Sequence, residues 1–168
     1  MTETKERKQH AQKNIATRLK AMTILLVVAL TGIGVALTYY AFSIQVTEHA
    51  PHGVWAYRSF IFFTWGVGLV CYYILYCFWG VCTQIGADNS FSIENETAMK
   101  RMGTCGLMIA AILLARLIVS CAIFGPRFSM LYDVAEAGLG LVFYVVCNAL
   151  GRLVHNAYEL KEDNDLTI

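Results

Sequence analysis

The sequence predicts an all-α fold, a four-helix polytopic integral membrane bundle. Of its 168 residues, 57% are hydrophobic and 15% are charged, against about 25% charged residues in an ordinary soluble domain. The apolar residues form four long blocks. If each block crosses the membrane, most of the basic residues lie in the segments on one side of it. A soluble chain of this length buries only ~70% of its surface, so it could not cover four such blocks.

The four blocks are the predicted transmembrane helices. They cover residues 21–44, 59–82, 103–124 and 133–155. Each reaches the length of about 20 residues that a helix needs to cross ~30 Å of hydrocarbon. Lipid offers no hydrogen-bond partner to a free backbone, so apolar spans are expected to be helical. The first block is too long for a cleaved signal-peptide core of about 7–15 residues.

The distribution of lysine and arginine predicts the orientation. The segment 1–20 holds six of the thirteen basic residues, and the loop 83–102 holds two more. With the N-terminus inside, ten basic residues lie in cytoplasmic segments and two lie outside, while Arg116 falls within a span. The positive-inside rule therefore predicts a multi-pass plasma-membrane protein with both termini in the cytoplasm.

The segment 1–20 is predicted to be a basic amphipathic helix that lies on the inner membrane surface before the first span. The apolar stripe of residues 11–22 consists of Ala11, Ile15, Leu19 and Met22. Anionic lipid attracts such a segment by about 1 kcal/mol for each basic residue near the surface. Anchoring and orientation are the expected roles, and binding of a partner is the alternative.

The loop 83–102 and the tail 156–168 are the other predicted cytoplasmic parts. In the loop, a polar stretch ending at Ser92 precedes Glu94 and Glu96. This pattern is typical of a helix start, because polar caps accept backbone N–H groups and acidic residues suit the first turn. The tail is a candidate partner-binding segment. Its acidic residues are Glu159, Glu162, Asp163 and Asp165.

Two charged residues inside the predicted spans are the main site candidates. A charge at mid-bilayer costs at least ~2.5–3.5 kcal/mol and usually has a partner inside the bundle. Arg116 lies in the third span and Glu136 near the outer end of the fourth, and a short loop makes these spans antiparallel neighbours. We therefore expect an Arg116–Glu136 contact. A structural clamp is the main interpretation, with a ligand or lipid switch site and an ion pathway as alternatives.

The fourth span also carries small residues on the helical face of Glu136. Small residues allow close helix packing, so this face is expected to point into the bundle. The stripe consists of Gly140, Phe143, Cys147 and Gly151. Asn148 is a further buried polar residue that needs a hydrogen-bond partner. Gly32 and Ala36 form a comparable small pair on the first span.

No pattern predicts an enzyme, a cofactor or a metal site. Neither a nucleophile–base arrangement nor a phosphate-binding glycine loop occurs. The six cysteines form no CxxC pair and are interpreted as small buried apolar residues. Glu48, His49 and His52 share the first outer loop, but no further ligand is evident, so an ordinary polar loop is expected.

Motifs in the loop and the tail resemble a known family. The loop reads Phe91-Ser92-x-Glu94-Asn95 followed by Lys100-Arg101-x-Gly103, and the chain ends in Leu160-Lys161-Glu162-Asp163-Asn164-Asp165-Leu166-Thr167-Ile168. With the four spans, these motifs resemble the bacterial membrane family called domain of unknown function 2975, although Asn164 replaces an expected glutamine. Members of that family are often encoded beside small helix-turn-helix regulators. The resemblance therefore implies a role in sensing or regulation and no catalytic residues.

The combined prediction is a membrane-embedded regulatory or sensory protein that acts through a cytoplasmic partner, such as a helix-turn-helix regulator. No direct contact with nucleic acid is expected. The two tails carry opposite charge on the same side, so the basic tail could hold the acidic tail until a signal releases it. Two alternatives are left open: a small transporter or toxin-immunity membrane protein, and a structural subunit of a membrane complex.

Overall fold

In a computed structural model the chain folds into long helices, and the structure describes residues 2–47, 53–125 and 130–166. The helices are α1 (Thr2–Thr47), α2 (Gly53–Gly86), α3 (Ile93–Phe124) and α4 (Met130–Leu166). Each is long and apolar enough to cross a membrane. The predicted all-α membrane fold with four spanning helices is therefore confirmed.

The helices are longer than a membrane span requires. At about 1.5 Å per residue, the 46 residues of α1 extend roughly 70 Å and the 37 residues of α4 roughly 55 Å, against ~30 Å of hydrocarbon. The excess in α1 is its basic N-terminal part, and the excess in α4 is its acidic C-terminal part. Both predicted tails are thus helical continuations of a span.

Residues 11–22 belong to α1, which continues without a break into the first span. Ala16 is buried against the end of α2, where a Cβ added to Gly86 would lie 3.0 Å from the Ala16 Cβ. In contrast, Ile15 and Met22 of the predicted apolar stripe are 52% and 65% exposed. This stretch packs along α2 as part of a continuous α1. Ala11, Ile15 and Met22 of the stripe face away from the protein, whereas Leu19 is half-buried.

The helices pack in sequence order. Within the described parts of the chain, only consecutive helices approach each other closely, α1 with α2, α2 with α3, and α3 with α4. The contact between α3 and α4 is the most extensive. Over residues 2–47, 53–125 and 130–166, α1 and α4 are therefore edge helices with one neighbour each.

Both edge helices carry their polar extensions at the same end of the molecule. Ala16 of α1 lies beside Gly86 of α2, and Glu96 of α3 contacts His155 of α4. We call this the tail end, and we call the opposite end, where Arg116 lies, the loop end.

Residues with positive φ follow the last turn of both α2 and α3. At the end of α2, the N–H of Asn89 donates to the Gln84 carbonyl at 3.0 Å and Asp88 has a φ of 61°. This is a Schellman arrangement, in which aspartate takes a conformation that few residues other than glycine adopt. Gly125, the C-cap that follows α3, has a φ of 70° and a ψ of 175°. The first cap turns the chain directly into the start of α3.

Glycines bring the backbones of α3 and α4 into contact. A Cβ on Gly140 would lie 2.8 Å from the Gly106 carbonyl oxygen, and a Cβ on Gly106 would lie 2.8 Å from the Gly140 carbonyl oxygen. Backbone atoms cannot rotate away from such a contact, so both positions require glycine at this spacing. Close packing without side-chain volume is a common way for helices to associate in lipid.

The predicted stripe on α4 lies on this interface, whereas the small pair on α1 does not face a neighbour. Gly140, Cys147 and Gly151 are buried, and the Asn148 amide donates to a carbonyl of its own helix at 2.8 Å. At Gly32, nothing lies within 4 Å of an added Cβ. The expected close approach at Gly32 is therefore wrong, because α1 turns a different face to α2.

Gly140→Ala is expected to lower the free energy of unfolding by about 1–3 kcal/mol, the usual cost of overpacking a filled interface. Gly138→Ala is the matched control, since an added Cβ at Gly138 meets nothing within 4 Å. SDS-induced unfolding in mixed micelles measures both. Equal unfolding free energies for the two variants would show that the backbone contact does not hold α3 against α4.

Candidate functional site

An ion cluster at the loop end joins α3 to α4. The Arg116 guanidinium donates to the Asp133 carboxylate, and its Nη2 lies 3.8 Å from Oε2 of Glu136. The side chain of Asp133 is 11% exposed and that of Glu136 is 54% exposed. Glu136 is therefore within ion-pair distance of Arg116, as expected, but Asp133 is the closer and more buried partner.

The beginning of α4 explains why sequence reasoning missed Asp133. The fourth span was predicted to start at residue 133, whereas the helix begins at Met130. Asp133 therefore lies in the first turn, where the helix dipole favours an acidic side chain. Residues three apart lie on the same helix face, so Asp133 and Glu136 both point towards Arg116. The loop-end cluster is thus a cation shared by two carboxylates.

A second polar cluster joins the same helices at the tail end. The Glu96 carboxylate accepts a hydrogen bond from Lys100 at 2.5 Å, and it lies 2.9 Å from Nδ1 of His155. The other ring nitrogen of His155 lies 3.2 Å from Oε1 of Glu159. The histidine is therefore placed between a buried carboxylate of α3 and the first carboxylate of the acidic tail.

Local structure at the start of α3 sets the position of Glu96. The Ser92 hydroxyl caps the helix by accepting from the N–H of Asn95 at 3.3 Å. The Asn95 side chain donates to the Ser90 carbonyl at 2.9 Å, which ties the connection to the first turn. Sequence reasoning treated Glu96 only as a first-turn residue. Its contact with His155 joins positions 59 residues apart, and no local pattern signals such a pairing.

The acidic tail continues from the tail-end cluster along α4. Glu159, Glu162 and Asp163 are exposed, while the side chain of Asp165 lies outside the described residues. α1 and α4 do not approach each other in the described parts of the chain. Glu159 of the acidic tail contacts His155 and, through it, Glu96.

The two clusters bracket a closely packed interface. Between them lie the Gly106–Gly140 contact and a small core that includes Ala110, Leu113 and Ala137. Arg116 and Asp133 form a polar contact between α3 and α4 at one end, and Glu96 and His155 form one at the other. The arrangement suits a two-ended clamp on α4 whose contacts can be made and broken.

The described residues contain no group of three or more histidine, cysteine, aspartate or glutamate side chains that could hold a metal ion. Glu48, His49 and His52 lie outside the described residues.

Comparison with known proteins gives the family. Residues 10–168 match the model of the family described as "Protein of unknown function (DUF2975)". The chain belongs to the DUF2975 family. This confirms the resemblance that the loop and tail motifs indicate, and both ion clusters of this DUF2975 protein lie within the matched region. No curated protein and no solved structure matches the chain.

In the DUF2975 chain, Asp133→Asn is expected to lower the free energy of unfolding by about 2–3 kcal/mol. This is somewhat less than the ~3–5 kcal/mol for removing one partner of a fully buried pair, because the Arg116 side chain is 22% exposed. Glu136→Gln is the control, with an expected loss of about 0–1 kcal/mol, as for an exposed ion pair. Equal losses in an SDS unfolding titration would contradict the assignment of Asp133 as the main partner.

Glu96→Gln is expected to loosen the end of α4, because a neutral amide at this position would lose the charge-assisted contacts with Lys100 and His155. The readout is the rate of trypsin cleavage after Arg152 and Lys161 in proteoliposomes, which should rise. Asp88→Asn, an exposed acidic position at the same end of the molecule and outside the cluster, serves as the control and should cleave at the wild-type rate. If both variants cleave like wild type, Glu96 does not hold the end of α4.

Proposed function

We propose that this DUF2975 protein is a membrane-embedded regulatory or sensory protein that acts through a cytoplasmic partner, for which a helix-turn-helix regulator is a candidate. The observation that carries the proposal is the continuity of α4, a single helix from Met130 to Leu166. It holds Asp133 in the loop-end cluster and His155 in the tail-end cluster. One stiff element therefore connects the two sides of the membrane.

The packing of α4 supports a movement that passes from one end to the other. α4 is an edge helix whose close contacts within the described residues are with α3 alone. Polar contacts that restrain it include Arg116–Asp133 at the loop end and Glu96–His155 at the tail end. A signal that displaces Arg116 from Asp133 would change the position of α4 and strain the contact at the other end.

The chemistry of the tail end favours a basic partner. His155 holds Glu159 beside Glu96, and Glu162 and Asp163 follow within the next turn on an exposed helix. Release of His155 from Glu96 would free this acidic helix for a surface of opposite charge. DNA-binding regulators carry basic surfaces, and complementary charge speeds association and selects the partner.

The proposal places the tail end in the cytoplasm and the protein in the plasma membrane, as the distribution of lysine and arginine favours. A transporter is less well supported, because backbone contacts at Gly106 and Gly140 close the α3–α4 interface between the two clusters. No observation on the described residues favours toxin immunity or a structural subunit.

The test is a crosslinking pull-down from native membranes with three versions of the full chain. They are the wild type, the tail variant Glu159→Gln/Glu162→Gln/Asp163→Asn, and Asp88→Asn as control. Asp88 is an exposed acidic residue at the same end but outside α4. Wild type and control are expected to recover a DNA-binding regulator, and the tail variant is expected to lose it.

If the tail variant recovers that regulator as well as the wild type does, the acidic tail is not the segment that binds it. Recovery of membrane proteins alone, at a fixed stoichiometry, would favour a structural subunit. Substrate-dependent flux in proteoliposomes would favour transport, and increased toxin sensitivity after deletion without a transcriptional change would favour immunity.

A further inference from the structure

A cavity of about 400 Å³ opens between α2 and α3 near the tail end. Its lining includes Tyr76 and Trp79 from α2, and Glu94, Thr97 and Arg101 from α3. The volume is within the range of roughly 300–1,000 Å³ that is usual for small-molecule sites. Neither ion cluster contributes to this lining, so the cavity is a separate feature of the molecule.

Two opposite charges line the cavity without an ion-pair partner. Neither Glu94 nor Arg101 forms an ion pair with another of the described residues. They lie on one face of α3, seven residues and about 10 Å apart along the axis, which is too far for a contact between them. The cavity therefore offers both a carboxylate and a guanidinium to a single bound molecule.

The cavity lies at the level of the membrane interface. Trp79 is near the tail end of α2, and the Lys20 ammonium lies 5.3 Å from the centroid of its ring. Tryptophan, lysine and arginine are concentrated at the boundary between hydrocarbon and headgroups. Arg101 stands just before the apolar part of α3, at the same level. Headgroups, rather than acyl chains, are thus the lipid parts next to these charges.

An exposed apolar surface continues from the cavity towards the loop end. On α2, the residues that lie from Tyr76 towards the loop end at helical spacing are Tyr73, Leu69 and Phe62. Their side chains are 45%, 66% and 73% exposed. On α3, Met108 follows Arg101 on the same face and is 50% exposed. A molecule with its polar part in the cavity would have this surface available for acyl chains.

We infer that the cavity binds a phospholipid with an amine-bearing zwitterionic headgroup, such as phosphatidylethanolamine. Along α3 the order is carboxylate at Glu94, cation at Arg101, then apolar surface. Along the lipid the order is ammonium, phosphate, then acyl chains. Arg101 binds the phosphate, which matches the donor geometry of a guanidinium, and Glu94 accepts from the ammonium. This inference is independent of the proposed regulatory function.

The charges also argue against other common lipids. A phosphatidylglycerol headgroup has no cation for Glu94, so the carboxylate would face an anionic molecule. A phosphatidylcholine headgroup has a cation but no N–H group, so it cannot donate a hydrogen bond to Glu94. The amine headgroup is the one that satisfies both Glu94 and Arg101.

The test is native mass spectrometry of the purified full chain with phosphatidylethanolamine, phosphatidylglycerol and phosphatidylcholine of identical acyl chains. Wild type is expected to bind phosphatidylethanolamine roughly tenfold more tightly than the other two, the effect of one hydrogen bond to a charged group. Glu94→Gln should abolish this preference. Arg101→Gln should weaken all three lipids roughly tenfold, whereas the control Arg152→Gln, an exposed arginine of α4 outside the cavity, should bind like wild type.

Several outcomes would overturn the inference. Equal binding of the three lipids by wild type, or tighter binding of phosphatidylglycerol, would remove the role of Glu94. Equal effects of Arg101→Gln and Arg152→Gln would remove the role of the cavity. Displacement of the lipid by chain-free glycerophosphoethanolamine at a similar concentration would identify a soluble ligand in place of a lipid.

Discussion

The close approach of α3 and α4 is the constraint on which the rest of this structure depends. Because Gly106 and Gly140 lack a Cβ, the two backbones touch. That spacing brings Arg116 within reach of Asp133 at one end and Glu96 within reach of His155 at the other. Apolar burial does not drive helices together inside lipid, so dispersion contacts and polar pairs supply the attraction. The α3–α4 interface combines both kinds of interaction.

α1 is held to the molecule in a different way from α4. Side-chain hydrogen bonds join it to α2, between Thr31 and Tyr72 at 2.7 Å and between Trp65 and Thr38 at 3.2 Å. Hydrogen bonds between membrane helices contribute on average about 0.6 kcal/mol each, less than a partly buried ion pair at a closely packed interface. The two edge helices therefore differ in how firmly they are fixed, and the charged clamp belongs to the helix that carries the acidic tail.

The beginning of α3 connects the cavity with the tail-end cluster. Residues two apart on a helix point in nearly opposite directions, so Glu94 faces the cavity while Glu96 faces α4. Lys100 likewise belongs to the tail-end cluster, whereas Arg101 lines the cavity. One short helical segment thus has a cavity-facing side and an α4-facing side. A molecule in the cavity and the position of the acidic tail would both act on this segment, which Ser92 caps.

The sequence by itself determined the membrane class, the four helices, the family and Arg116 as a charge in need of a partner. The hydrocarbon layer requires a minimum length and an apolar composition of each helix separately. These properties can therefore be recognised in a short stretch of the sequence. The sequence also indicated Glu136, but the choice of Asp133 as the main partner depended on where α4 begins. Only the tertiary structure decided the pairing of Glu96 with His155, the packing of helices in chain order and the face that α1 turns to α2. Those features depend on contacts between distant residues, which no single helix specifies.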